Sequence, residues 1–161
     1  MTCDSELNQS LKKLILLKGI GSVGKTSTLC ALIDVLKTKY SAAEVCRKWD
    51  PDNYFVVLDV PNLGNIGVAT FGDPGWESPA EEVCNTCWEH NCVAMVVATR
   101  TRGGVYNVYR EFAENKQIKL IETAPYVVTN VANKKDAAIA EKHQSLNSLR
   151  ANQLAELLFQ A

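Results

Sequence analysis

The amino-acid sequence predicts a three-layer α/β fold: a mostly parallel sheet covered on both faces, with a hairpin supplying one antiparallel edge strand. Two observations predict it. Short apolar runs of strand length alternate with stretches of helical periodicity, the pattern left by crossover-connected parallel strands. The pair Tyr54–Val60 and Ile66–Phe71 breaks the alternation, because Pro61-Asn62-Leu63-Gly64-Asn65 between them is too short for a crossover and fits an antiparallel turn.

Leu14-Ile15-Leu16-Leu17 is a short apolar run bounded by Gly19 and suits a buried strand. Leu29, Leu32, Ile33 and Leu36 then recur at helical spacing, giving strand, glycine loop, helix. After the hairpin, Ser78-Pro79-Ala80-Glu81 reads as a helix start, with Ser as cap, Pro at the first helical position and Glu closing a capping box. The stripe of that helix is Ala80, Val83, Cys84, Cys87 and Trp88. Val93–Ala98 is a buried strand, Val105–Asn115 a helix after Gly103-Gly104, and Ile118–Glu122 another strand. Tyr126–Thr129 is read as extended. A last helix runs from about Lys134 to Phe159, with Ile139, Leu146, Leu149, Leu154, Leu157 and Leu158 on its apolar side. No repeat, low-complexity stretch or Pro/Gly/Ser-rich linker divides the chain, so residues 1–161 are expected to form a single domain.

With 161 residues, 47% of them hydrophobic, the chain is long enough to bury one full core. A formal net charge of -1 argues against the strong basic field of a nucleic-acid or anionic-membrane binder. Met1–Ser10 is polar and carries Asp4 and Glu6, unlike a secretory signal, and the apolar run Val93–Ala98 is far too short to cross a bilayer. A cytoplasmic location is therefore expected, with no membrane partner. The six cysteines then read as reduced thiols.

Gly19-Ile20-Gly21-Ser22-Val23-Gly24-Lys25-Thr26 matches G-x-x-x-x-G-K-[ST] at every fixed position, with a buried strand before it and an amphipathic helix after it. Glycines let successive backbone N–H groups turn inward toward phosphate oxygens, and the positive end of the following helix adds to the attraction. The candidate phosphate-binding set is Gly19, Gly21, Ser22, Val23, Gly24, Lys25, Thr26 and Ser27. In this pattern Lys25 bridges β- and γ-phosphates and the Thr26 hydroxyl ligates Mg²⁺. The bland alternative is an ordinary glycine turn. Motif and context together resemble the P-loop NTPase superfamily. The resemblance implies a three-layer P-loop NTPase fold, a nucleoside triphosphate as partner, Mg²⁺ as cofactor and hydrolysis as the activity, with ATP as the default and GTP as the alternative.

That superfamily places an Asp at the end of a neighbouring strand to hold Mg²⁺. Asp59 follows Val56-Val57-Leu58 and matches by residue type, but hairpin geometry sends it to the pole opposite the glycine loop and brings Asp73 to the loop's pole. Thr26 and Asp73 are therefore the candidate metal ligands. The alternative for either acid is a strand-end or turn carboxylate without a ligand. Asp73-Pro74-Gly75-Trp76-Glu77 also resembles a shortened D-x-x-G segment of switch GTPases, with Gly after one residue instead of two. Glu77 could orient an attacking water, or simply favour a helix dipole.

Thr99-Arg100-Thr101-Arg102-Gly103-Gly104 follows a buried strand at the same pole. Its two guanidinium forks suit charge on a transferring phosphoryl group or a phosphorylated acceptor, the alternative being arginines paired with surface acids. The candidate catalytic set is Lys25, Asp73, Arg100 and Arg102. As a whole the arrangement resembles small uncharacterised bacterial P-loop ATP-binding proteins that carry an R-T-R-G-G loop.

Asn133-Lys134-Lys135-Asp136 spells the guanine-reading N-K-x-D of GTPases. The position where that family carries it, directly after Leu120-Ile121-Glu122, reads Thr123-Ala124-Pro125, and Asn133 equally serves as an N-cap with Asp136 in the first helical turn. A GTPase-like switch, a small-molecule or nucleotide kinase and a regulatory subunit dependent on a protein partner are the alternatives to an NTP hydrolase. Cys84-x-x-Cys87 with His90 and Cys92 raises zinc, but both Cys84 and Cys87 lie on the apolar stripe and read as packing. Cys30 reads the same way, and His143 reads as a surface group.

Overall fold

A computed structural model describes residues 10–19, 24–49, 53–125 and 137–160, with the backbone alone over 137–143. Ile20–Val23, the extended reading of Tyr126–Thr129, the Asn133–Asp136 motif and the His143 side chain lie outside the described residues.

In chain order the elements are β1 (Lys13–Lys18), α1 (Lys25–Lys39), β2 (Ala43–Trp49), β3 (Tyr54–Val60), β4 (Gly64–Ala69), α2 (Glu77–Glu89), β5 (Ala94–Thr99), α3 (Gly104–Lys116), β6 (Lys119–Thr123) and α4 (Ala137–Phe159). The fold is α/β. Among the described residues six strands form one sheet in the order β2-β3-β4-β5-β1-β6. β1 pairs in parallel with β5 and β6, and β4 in parallel with β5, whereas β3 runs antiparallel to both β2 and β4.

The expected antiparallel edge strand is corrected on this point. β3 is antiparallel but lies one strand in, and the edge is β2, which the periodicity does not announce. Its sequence Ala-Glu-Val-Cys-Arg-Lys-Trp is charged and mostly exposed, as suits a sheet edge protected from adventitious pairing. β2 turns back on α1 through Ser41, whose φ is 60°. The β3–β4 turn is tight: the Leu63 N–H donates to Val60 O at 3.0 Å, and Asn62 (φ 67°) and Gly64 (φ 124°) take left-handed conformations.

Successive residues of the central strands are buried on alternate faces. Ile15, Leu17, Val56, Leu58, Val68 and Val96 pack with α1 and α4. Leu14, Leu16, Phe55, Val57, Met95 and Val97 pack with α2 and α3. Two helices therefore cover each face of the sheet, and β1 is flanked on both edges and buried on both sides. α2 lies directly on β4, where a Cβ on Gly67 would come within 2.2 Å of Cys87 Sγ.

The start of α2 is also corrected. Trp76, not Ser78, is the N-cap residue and makes no side-chain cap; the Ala80 N–H donates to Trp76 O at 3.0 Å. Pro79 is accommodated within the first turn, where no N–H is required, and Glu77 is the acid of that turn. Among the described residues no helix is long and apolar enough to cross a membrane.

Candidate functional site

The carboxyl ends of β1, β4, β5 and β6 lie at one pole of the sheet, and the chain leaving β1, β4 and β5 supplies the candidate residues. Gly24 holds the entry to α1 with φ 90° and ψ 18°, a left-handed conformation that glycine takes without steric cost. A Cβ there would lie 3.1 Å from Asn147 Oδ1 of α4. The same oxygen accepts from Thr28 Oγ1 at 3.1 Å, so α4 braces the first turn of α1.

Lys25 opens α1 and is only 7% exposed. Its Nζ donates to Gly19 O at 2.6 Å, tying the two ends of the loop together. Burial holds its pKa below the usual lysine value, the Arg100 charge lowers it further, and Asp73 partly offsets both. Thr26 Oγ1 donates to Thr70 O at 2.9 Å, which binds the helix start to the end of β4. Ser27 follows on the exposed side of the same turn. Thr70 is itself fixed, since its hydroxyl accepts from the Tyr54 N–H at 3.1 Å and donates to Tyr54 O at 3.2 Å.

Asp73 is reached through Gly72, where an added Cβ would sit 2.2 Å from Ala98 O and 2.4 Å from Ala98 C. Only a glycine lets the end of β4 press this closely on β5. That approach sets Asp73 beside the residue following β5, and Arg100 Nε donates to Asp73 Oδ1 at 3.1 Å. β5 lies between β4 and β1, so Asp73 faces the loop from two strands away and not from the neighbouring strand. Asp59 lies at the opposite pole, exposed and in register with Ala43 and Asn65.

Glu77 turns toward α3: its Oε1 is 2.5 Å from where a Cβ on Gly104 would stand, and it accepts from the Gly75 N–H at 3.4 Å. It thus braces the Asp73–Gly75 turn against the start of α3. Arg102 is exposed on the Arg100 loop and lines a shallow groove with Pro74, Arg100, Gly103 and Tyr106. The site therefore gathers Gly19, Gly24, Lys25, Thr26, Asp73 and Arg100, with Arg102 at its margin and Asp59 excluded.

Several residues at this pole escaped the sequence reading. Tyr106 OH donates to Glu122 Oε1 at 2.7 Å, Lys18 Nζ donates to the same oxygen at 3.3 Å, and Lys18 Nζ lies 4.9 Å from the Tyr106 ring centre. The Tyr106 hydrogen bond, then that from Lys18, holds the Glu122 carboxyl below the usual range. Position offers a signal for Lys18, which precedes Gly19, and for Glu122, which nears a strand end. Thr70 and Asn147 have none, because their partners are distant in sequence.

Three of the described thiols are packing groups. Cys84, Cys87 and Cys92 are buried under α2, and burial pushes the Cys84 thiol up to about 12 and that of Cys87 well above its usual value. Among the described residues no three His, Cys, Asp or Glu side chains are grouped to hold a metal ion. No family model matches the chain, and no curated protein or solved structure matches it either.

Proposed function

We propose that this pole binds a nucleoside triphosphate with Mg²⁺, ATP by default, and hydrolyses it. The observation that carries the reading is the setting of Lys25. A buried ammonium stands in the first turn of α1, the positive end of the helix dipole, with Arg100 near enough to oppose its charge. Such a placement is unfavourable for a cation by itself. A polyanion at the loop would place opposite charge beside Lys25, Arg100 and the helix start together.

The donor chemistry fits Mg²⁺. Thr26 offers a hydroxyl whose proton is committed to Thr70 O, leaving oxygen lone pairs to accept, and Asp73 offers a hard carboxylate. Bound there, the ion neutralises charge on phosphate oxygens. In this reading Lys25 bridges the outer phosphates, Thr26 and Asp73 hold the metal, and Arg100 and Arg102 answer charge on the terminal phosphoryl group. Glu77, engaged with Gly75 and placed against the start of α3, braces the turn.

Thermal unfolding with ATP, GTP and their non-hydrolysable analogues, each with and without Mg²⁺, tests the reading. A ligand of the native state at 100 times its Kd adds about 2.7 kcal/mol of stability. A shift that needs Mg²⁺ is expected, and its absence with every nucleotide overturns the proposal. Phosphate release without an acceptor then marks a hydrolase, release awaiting a metabolite marks a kinase, and release awaiting a protein marks a regulatory subunit.

A further inference from the structure

We propose that Asp73 holds Arg100 in reserve and that Mg²⁺ arriving at Asp73 releases Arg100 to the terminal phosphate, so that metal loading and arginine delivery are one exchange. The inference rests on the reading of this pole as a Mg²⁺-nucleotide site.

Three features carry it. The first is the ion pair itself, Arg100 Nε to Asp73 Oδ1 at 3.1 Å, between the one carboxylate and one of the two arginines assigned to the site. Its proximity is built in, because Gly72 presses the end of β4 onto the backbone of Ala98, one residue before Thr99 and two before Arg100. The second is exposure. With the side chains of Arg100 and Asp73 39% and 62% exposed, solvent screens the pair and it binds weakly. A divalent cation at Asp73 outcompetes a guanidinium there and repels it, while phosphate oxygens offer the guanidinium a matching fork.

The third is space. Gly75 (φ 97°) lies two residues after Asp73 and Gly103 (φ 119°) follows Arg102, and a Cβ at either glycine would meet nothing within 4 Å. Open space therefore lies beside both glycines. Arg100 already stands close enough for its charge to oppose that of Lys25.

The exchange has a signed consequence that a simple phosphate-binding arginine lacks. At fixed saturating nucleotide, Mg²⁺ is titrated and the midpoint of thermal stabilisation is read for the wild type and Arg100→Gln. Removing the competitor should lower the Mg²⁺ midpoint by about three- to fivefold, the size of an exposed ion pair, while phosphate release slows by about tenfold or more. Arg100→Lys, which keeps the charge without the planar fork, should fall between. Arg110→Gln removes a like charge from α3 and should leave the midpoint unchanged. A midpoint that is unchanged or raised in Arg100→Gln, or lowered equally in Arg110→Gln, overturns the exchange while leaving the nucleotide site standing. If no nucleotide stabilises the wild type at any Mg²⁺ concentration, both readings fail together.

Discussion

The amino and carboxyl ends of the sheet each bury a lysine, and they use it in opposite ways. Lys13, at the amino end of β1 and 8% exposed, donates to Leu157 O at 3.0 Å and to Gln160 O at the end of α4. Those carbonyls are the negative end of a helix, and they welcome a cation. Lys25 stands at the positive end of α1, where burial and Arg100 work against its charge and Asp73 works for it. Both lysines have a depressed pKa with burial as the leading cause. One cation is met by the fold's own carbonyls; the other, in the proposed reading, also meets the phosphates of a ligand.

The sharpest way to break this contrast is to remove each lysine. Lys25→Ala should abolish the nucleotide-dependent stabilisation, about 2.7 kcal/mol at 100 times Kd, and leave unliganded stability unchanged or slightly raised. Lys13→Ala should do the reverse, lowering stability by about 1 kcal/mol because part-buried helix-end carbonyls lose their donor, with the nucleotide shift retained. Denaturant unfolding with and without nucleotide reads both.

The two acids of the hairpin extend the comparison. Asp73→Asn should raise the Mg²⁺ midpoint by at least the roughly tenfold that loss of a ligand's supporting partner costs, and Asp59→Asn should not move it. The reverse order would remove the carboxyl pole as the metal site.

Alkaline titration sharpens the role of Lys25. Its folded pKa lies below 10.5, so the unfolded chain holds the proton more tightly and the folding penalty is full below the folded value. The penalty fades as pH rises toward 10.5. Nucleotide stabilisation, which needs the ammonium, should decline over the same window, so the two trends run in opposite directions.

The smallest effect belongs to the amino end. Glu44 is held at about 2 by hydrogen bonds from Arg47 and Lys37. Its contribution should be present above 4.5 and lost as pH falls toward 2. Because the group is largely exposed, Glu44→Gln should cost less than about 1 kcal/mol at neutral pH.

What could be read in the sequence was local. Leu14–Leu17, the hairpin runs and the glycine loop announce themselves through periodicity and spacing within a few residues. β2 did not, because an edge strand with Glu44, Arg47 and Lys48 lacks the apolar run of a buried one. The helix start at Glu77 was misplaced because Ser78 and Pro79 imitate a cap while Trp76 holds that position without a side-chain bond. The Asp73–Arg100 pair depends on the alignment of β4 with β5 and on the contact of Gly72 with Ala98. Lys13 with Leu157, and Thr28 with Asn147, join residues more than a hundred positions apart. No periodicity encodes such pairs.

The most direct measurement of the central claim is calorimetric titration of Mg²⁺-ATP and Mg²⁺-GTP into the wild type and Lys25→Ala in parallel. Saturable binding of one nucleotide to the wild type and its loss in Lys25→Ala are expected. Equal binding by both proteins, or none by the wild type, would contradict the assignment of the carboxyl pole as a triphosphate site.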